Sequence, residues 1–295
     1  MKNKIIFSAA LTAAFSLMSV TLTGCATQKE TAEEPNDSEF HYQHFDLKHH
    51  PVSVKDIHCD ATMEDGKIVT INEFGYTLYV FNPNGYLSEM QTVNEEDEVT
   101  FRDVYTYDDQ DKPVNIASKS GSGNPVSNTK CTYEGVRLLK KEVYSQDMDR
   151  MQTYDYAYPD LTHTEITYRM DGDLGSITKN TMDGNKVIKR DIFNHTGDCI
   201  TTEAFTYNEQ NKPIQVIRNG KTSLIAYNDR GLVARTERAF YLAYGDLNFY
   251  SEEVYTYEYE YDSVGNWIKR MVYVGEGDAK QLEQIDERII TYQAE

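Results

Sequence analysis

Successive side chains on a β-strand face opposite ways, and from about residue 52 this chain alternates, turns and alternates again. The clearest instance runs from Val254 to Trp267. Tyr255, Tyr257, Tyr259 and Tyr261 share one face of a strand there, and Thr256, Glu258 and Glu260 share the other. Asp262 follows, a residue type that bonds its own backbone in a turn, and Gly265 can supply a positive φ. The same order recurs at Phe81–Gly85, Tyr107–Asp111, Phe193–Gly197, Tyr207–Asn211 and Tyr227–Gly231. Each has an aromatic residue, then Asn, Asp or His positions, and ends four residues on with Gly, Asn or Asp, which tolerate left-handed backbone.

The segment Thr106–Val114 reappears in outline 100 residues later as Thr206–Ile214, and Phe81, Tyr107 and Tyr133 stand 26 residues apart. That spacing suits one hairpin per repeat; later intervals are irregular. No window beyond the leader sustains an apolar helical stripe. Gln281–Arg288 comes nearest, and its continuation into Ile289–Tyr292 reads better as a last strand. The pattern predicts an all-β fold over residues 40–295: a repetitive antiparallel β-hairpin meander of about 16–20 short strands joined by tight turns. Ser118–Asn128 reads as one loop, and no domain boundary shows inside the body. Acidity alone would leave disorder open, but 23 Tyr, 11 Phe and one Trp are too many aromatics for a typical disordered chain.

The stretch Tyr259-Glu260-Tyr261-Asp262-Ser263-Val264-Gly265-Asn266-Trp267 resembles the YD repeats of RHS-type proteins, whose core is Tyr-x-Tyr-Asp-x-x-Gly followed by an apolar residue. Tyr227–Leu232 and Tyr207–Ile214 are similar, with Asn for Asp and, in the second, Asn for Gly. The likeness covers roughly residues 75–292 and is degenerate in the middle. It implies a winding array of hairpins. Full RHS proteins wrap such arrays around a toxic C-terminal domain; here the array is too short to enclose one, and no self-cleavage segment is seen. The fold implication carries over, and toxin delivery does not.

Residues 1–24 read as a secretory signal, with Lys2 and Lys4 ahead of an apolar run from Ile5 to about Val20. The run closes on Leu22-Thr23-Gly24-Cys25, which resembles the lipobox of bacterial lipoproteins. That resemblance implies cleavage before Cys25 and acylation of Cys25, with palmitate-type chains as the membrane partner and no need for a spanning helix. Residues 25–39 then form a flexible acidic tether. Lipoproteins with diverged repeats of this kind resemble those of Bacteroidota, which implies an outer-membrane envelope location, periplasmic or surface-facing. A net charge of −19 argues against nucleic acid and anionic lipid faces as partners.

Candidates for chemistry are sparse. No Gly-x-Ser-x-Gly, His-Glu-x-x-His or phosphate-loop pattern is present. His49, His50, His58, Cys59 and Asp60 cluster in sequence, but adjacent strand residues point apart, and a solvated coincidence is favoured over a metal. The acidic runs Glu95–Glu98, Asp108–Asp111 and Asp171–Asp173 lack calcium-loop spacing and read as solvated turns. With Cys25 lipidated, Cys59, Cys131 and Cys199 remain: at most one disulfide, and more simply buried small apolar side chains. Tyrosine ladders bind glycans or extended peptides in many proteins, and they also stabilise sheets through cross-strand pairs. If one face is functional, Tyr255, Tyr257, Tyr259 and Trp267 are the binding candidates. The expectation is therefore a lipid-anchored, non-catalytic structural or interaction scaffold, with no cofactor, no metal and an envelope protein or glycan as partner. A glycan- or peptide-binding surface module is the alternative, and an envelope hydrolase with an unrecognised site the third.

Overall fold

A computed structural model describes residues 39–244 and 247–293; the side chains of residues 72–73 and 239–251 are not described. The leader, Cys25 and the tether to residue 38 lie outside the described residues. Eighteen strands follow one another: β1 (Pro51–Glu64), β2 (Lys67–Phe81), β3 (Leu87–Val93), β4 (Val99–Tyr107), β5 (Pro113–Ser120), β6 (Pro125–Glu134), β7 (Arg137–Ser145), β8 (Arg150–Asp160) and β9 (His163–Met170). The second half holds β10 (Asp173–Asp183), β11 (Lys186–Asn194), β12 (Cys199–Tyr207), β13 (Pro213–Arg218), β14 (Lys221–Tyr227), β15 (Val233–Tyr244), β16 (Leu247–Tyr261), β17 (Trp267–Val274) and β18 (Gln281–Tyr292). Among the described residues the only helical pieces are two single turns, Tyr42–Phe45 and Gly277–Ala279.

Each strand pairs antiparallel with the next, and β18 returns to pair with β1 from Pro51–Tyr292 to Asp60–Gln284. The sheet is thus a closed antiparallel barrel of eighteen strands. The expected antiparallel hairpin order holds, but the sheet is not a simple meander, because the ends of the array also pair with each other. Local alternation fixes which residues share a face and says nothing about which strand the last one meets. The loop expected at Ser118–Asn128 is also corrected, since β5 and β6 run into it and only residues 121–124 turn. The final strand expected at Gln281–Tyr292 is present.

The turns form as their residues dictate. The side-chain oxygen of Asn82, Asp108, Asn194, Asn208, Asn228 or Asp262 accepts the backbone N–H groups two and four residues on, at 2.9–3.1 Å in every case. The residue four positions after the aromatic has positive φ each time: Gly85, Asp111, Gly197, Asn211, Gly231 and Gly265.

Directly paired residues face the same way, so the registers define two faces. Val54, Asp56, Cys131, Asn180, Glu203, Val216, Thr236, Val272 and Asp286 are all buried and fall on one of them. That crowding marks the concave, inner face. The outer face carries cross-strand and same-strand ion pairs around the wall, among them Arg102–Glu89, Lys140–Asp155, Lys179–Glu165, Lys189–Asp191, Arg235–Glu237 and Lys269–Glu287. Eighteen strands enclose more space than inward side chains fill. Accordingly, every residue of β7 is only half-buried.

Apolar packing concentrates where the sheet closes. The segment before β1 lies across the inner face, with Tyr42 and Leu47 packed on Val54, Phe81 and Leu87, and with Phe40, Phe45, Tyr79, Tyr105 and Ile290 around them. Burying each large apolar side chain contributes about 1.5–3 kcal/mol. Its backbone is tied down as well: Leu87 N–H donates to Phe40 O at 2.7 Å, and Lys48 N–H to Asn266 Oδ1 at 2.6 Å. A smaller cluster of Ala61, Leu282 and Ile285 backs the closure between β1 and β18.

Candidate functional site

The tyrosines are tied to one another by a repeated bond. Near the end of an even-numbered strand, a tyrosine hydroxyl donates to a carbonyl at the first or second position of the strand before it. The pairs are Tyr107 to Leu87 (2.6 Å), Tyr133 to Pro113 (3.1 Å) and Tyr158 to Leu138 (2.9 Å). In the second half they are Tyr207 to Val187 (2.7 Å), Tyr227 to Pro213 (2.7 Å) and Tyr259 to Val233 (2.8 Å). Cations at the turns cover the same rings. Lys112 lies over Tyr133 and donates to Gly135 O at 2.6 Å, and Lys212 lies over Tyr227 and donates to Gly231 O at 2.5 Å. Burial pushes the Tyr227 and Tyr259 hydroxyls up to about 12, so they stay protonated donors.

The four binding candidates come together on neighbouring strands. Tyr255, Tyr257 and Tyr259 line the inner face of β16, and Trp267 opens β17 beside Tyr259, with ring centroids 6.2 Å apart. Their polar groups are engaged within the chain. Tyr255 donates to Glu253 at 2.5 Å, Tyr257 meets the Thr236 hydroxyl at 3.2 Å, and Tyr259 makes the clip to Val233. Trp267 is 4 % exposed, with the Arg288 guanidinium 3.6 Å over its ring and Arg270 at 5.3 Å.

Around that tryptophan lies an ionic cluster that sequence reasoning missed. Asp286 of β18, fully buried, accepts from His58 Nδ1 of β1 (2.5 Å), Arg270 Nε of β17 (2.6 Å) and Gln284 Nε2 (2.5 Å). Burial works to raise the Asp286 carboxyl, but the His58 bond and the Arg270 charge outweigh it and hold it below the usual carboxylate range. The bond to Asp286 raises His58 above its ordinary value against the opposing pull of desolvation. Beside this triad Arg288 faces Asp56 at 3.5 Å and donates to Phe45 O at 3.0 Å, and desolvation lowers its guanidinium. A second cluster spans β9 to β13: buried Glu203 accepts from Arg218 (2.6 Å) and Arg190 (3.3 Å), while Arg190 also donates to Asn180 (3.1 Å) and Asn180 to Thr164 (3.1 Å). The signal available in the sequence was a charged residue where alternation calls for an inward side chain, as Asp56 between Val54 and His58, or Glu203 two before Phe205.

A His–Asp pair with a supporting arginine is part of many acid–base sites, yet here it joins three strands across the closure. Cys59, next in the chain, faces the opposite way, paired with Ile285. The histidines that cluster in the sequence are dispersed in the fold: His50 stacks on Tyr42 and bonds Asn82 O at 3.1 Å, away from the His58 site. Among the described residues no group of three or more His, Cys, Asp or Glu side chains is arranged to hold a metal. No disulfide joins Cys59, Cys131 and Cys199; Cys131 is buried, but Cys59 is half-buried and Cys199 exposed, which corrects the expectation that all three are buried. Asp108 uses its carboxylate to cap its own turn, as expected of a solvated acidic turn. The clefts are open and shallow. One of about 790 Å³ lies between the turns at Asn208–Lys212 and Asn228–Gly231, and one of about 460 Å³ is lined by Met63, Glu258, Tyr273, Lys280 and Leu282.

Neither a protein-family model nor a curated protein matches the chain. Among solved structures it is similar to a porin-like protein from Bacteroides uniformis, at 12 % identity and a TM-score of 0.30, over 83 % of this chain and 98 % of that one. It is also similar to a chain of the TcdB2-TccC3-Cdc42 complex, at 10 % identity and a TM-score of 0.31, over 70 % of this chain. A chain of the Photorhabdus luminescens Tc holotoxin pore aligns at 10 % identity and a TM-score of 0.31 over 73 % of this chain. The chain spans 12 % of the length of each of these last two chains. Likenesses this faint bear on neither activity nor partner, and what the closed all-β sheet does must be argued from its own faces.

Proposed function

We propose that this chain is a lipid-anchored envelope protein of the lipobox and diverged YD-repeat type, and that its barrel stands in water as a non-catalytic interaction scaffold. One observation carries the reading: both faces of the closed sheet are charged at mid-strand. A barrel that crosses a bilayer needs an apolar outer band about 25 Å tall. The outer face instead carries Lys55, Arg102, Lys130, Glu142, Asp155, Lys179, Asp191 and Glu287 around the wall. The inner face carries Asp56, Arg190, Glu203, Arg270 and Asp286. On either side, lipid would meet ions costing several kcal/mol each at the midplane. Attachment then falls to Cys25, whose acyl chains anchor without a spanning element.

The tyrosine clips support the scaffold over the glycan-binding alternative, because the hydroxyls a sugar would use at Tyr255, Tyr257 and Tyr259 already have partners in the chain. Replacing Cys25 with Ala tests the anchor. The variant is expected in the soluble fraction after cell lysis, while the parent stays with the membranes through a carbonate wash. A Cys25→Ala protein that remains carbonate-resistant would mean that the barrel itself spans the bilayer.

A further inference from the structure

A hairpin outgrows the barrel at the end opposite the chain termini. β1 pairs with β18 only as far as Asp60, and β2 pairs with β3 only from Tyr76 onward. Residues 61–75 therefore project as a two-stranded tongue, held by the pairs Ala61–Thr70 to Glu64–Lys67. On the far edge of β2, the backbone from Lys67 to Phe74 pairs with no third strand, while Gly75 abuts Val93 O at the end of β3. An open edge of that length is a template for another strand, and soluble proteins ordinarily blunt it. This one carries Ile68, Val69, Ile71 and Phe74 at 40, 37, 59 and 56 % exposure, with Lys67 its single lysine and no proline to discourage pairing. Met63 on β1, 46 % exposed and paired with Ile68, extends the apolar surface.

The surroundings select the occupant. A strand added beyond β2 would lie in line with β3, directly above the β3–β4 turn, and that turn is Glu95, Glu96, Asp97 and Glu98. The tongue itself adds Glu64, Asp65 and Glu73 against the single Lys67. Like charges set opposite each other on a strand pair disfavour a second copy of this chain, which would bring the same acids and a net charge of −19. We propose that the open edge of β2 from Lys67 to Phe74 is a β-augmentation site for an extended segment of another protein in which apolar residues alternate with lysine or arginine. Main-chain bonds to the edge supply affinity, the apolar residues cover Ile68 and Ile71, and the acidic turn selects for positive charge. The proposal names the partner class for the scaffold reading, but it does not depend on the lipid, so the fractionation of Cys25→Ala and the following test can fail separately.

The probes are three ten-residue fluorescent peptides that share valine at alternate positions and carry lysine, serine or glutamate at the others. Each is titrated by anisotropy into the full-length protein in neutral detergent. The lysine peptide is expected to bind, the glutamate peptide to bind at least about tenfold more weakly, and raising salt to narrow the gap. Ile71→Pro places a residue with no N–H and a fixed φ at the bulged position that has no partner in the β1 register, breaking the continuity of the edge, and should abolish binding while leaving the circular dichroism spectrum unchanged. Should that variant misfold, Glu95→Gln with Glu96→Gln and Glu98→Gln should weaken the lysine peptide alone. Equal affinity for the three peptides, or undiminished binding to both variants, would overturn the proposal. So would a concentration-dependent dimer in sedimentation velocity that Ile71→Pro abolishes, since the edge would then be filled by a second copy.

Discussion

At the scale of single residues, the tyrosines do structural work that alternation alone could not reveal. Their shared face was legible from positions 255, 257, 259 and 261, and the turn chemistry from Asp262 and Gly265, whose φ is +91°. What was not legible is where each hydroxyl goes, because the accepting carbonyls lie 14 to 26 residues away, on the preceding strand. A buried carbonyl that loses such a donor costs more than the net worth of one bond, so Tyr207→Phe should destabilise the barrel by about 1–3 kcal/mol. Tyr273 points outward, and its hydroxyl meets Glu258 only at 3.4 Å, so Tyr273→Phe should be nearly silent. Urea denaturation of the two variants checks this. Equal midpoints for both would show that the clips carry no stability.

At the scale of elements, the closure between β17, β18 and β1 rests on ions as much as on apolar packing. The candidate residue Trp267 was legible as the lone tryptophan at the end of the densest aromatic stretch, but its role was not. It sits beneath Arg288 and Arg270, whose partners Asp56 and Asp286 come from strands at opposite ends of the chain. No local pattern can announce a partner 228 residues away, as His58 is from Asp286. The cluster makes stability depend on pH with a definite sign. His58 titrates above its ordinary 6.5 in the fold, so its contribution is complete below 6.5 and is lost as pH rises through the folded value. Asp286 titrates below its ordinary 3.8, so its contribution is complete above 3.8 and is lost as pH falls further. The closure should be firmest between those limits. Thermal melts from pH 5 to pH 9 should show Tm declining above about 6.5 in the parent and a flatter profile in His58→Gln. Parallel profiles would remove His58 from the account.

At the scale of the whole molecule, hairpin order and strand number follow from the repeated turns, whereas closure is a property of the complete set. Each hairpin leaves two open edges, and an array of eighteen antiparallel strands has ends that run in opposite directions and can pair with each other. Closure removes that last pair of edges along most of their length and leaves the projecting tongue as the exception. The enclosed space exceeds what the inward side chains fill, which explains why a chain of this size has so small an apolar core and leans on hydroxyl clips and buried ion pairs. The most direct test of closure is a covalent one. Lys55 of β1 and Ile289 of β18 lie directly opposite each other in the register. With both replaced by cysteine, mild oxidation followed by peptide mass spectrometry should yield a disulfide linking positions 55 and 289, within monomers and without loss of Tm. Failure of that bond to form, while a control pair at Lys140 and Asp155 of β7 and β8 links readily, would mean that the sheet is open.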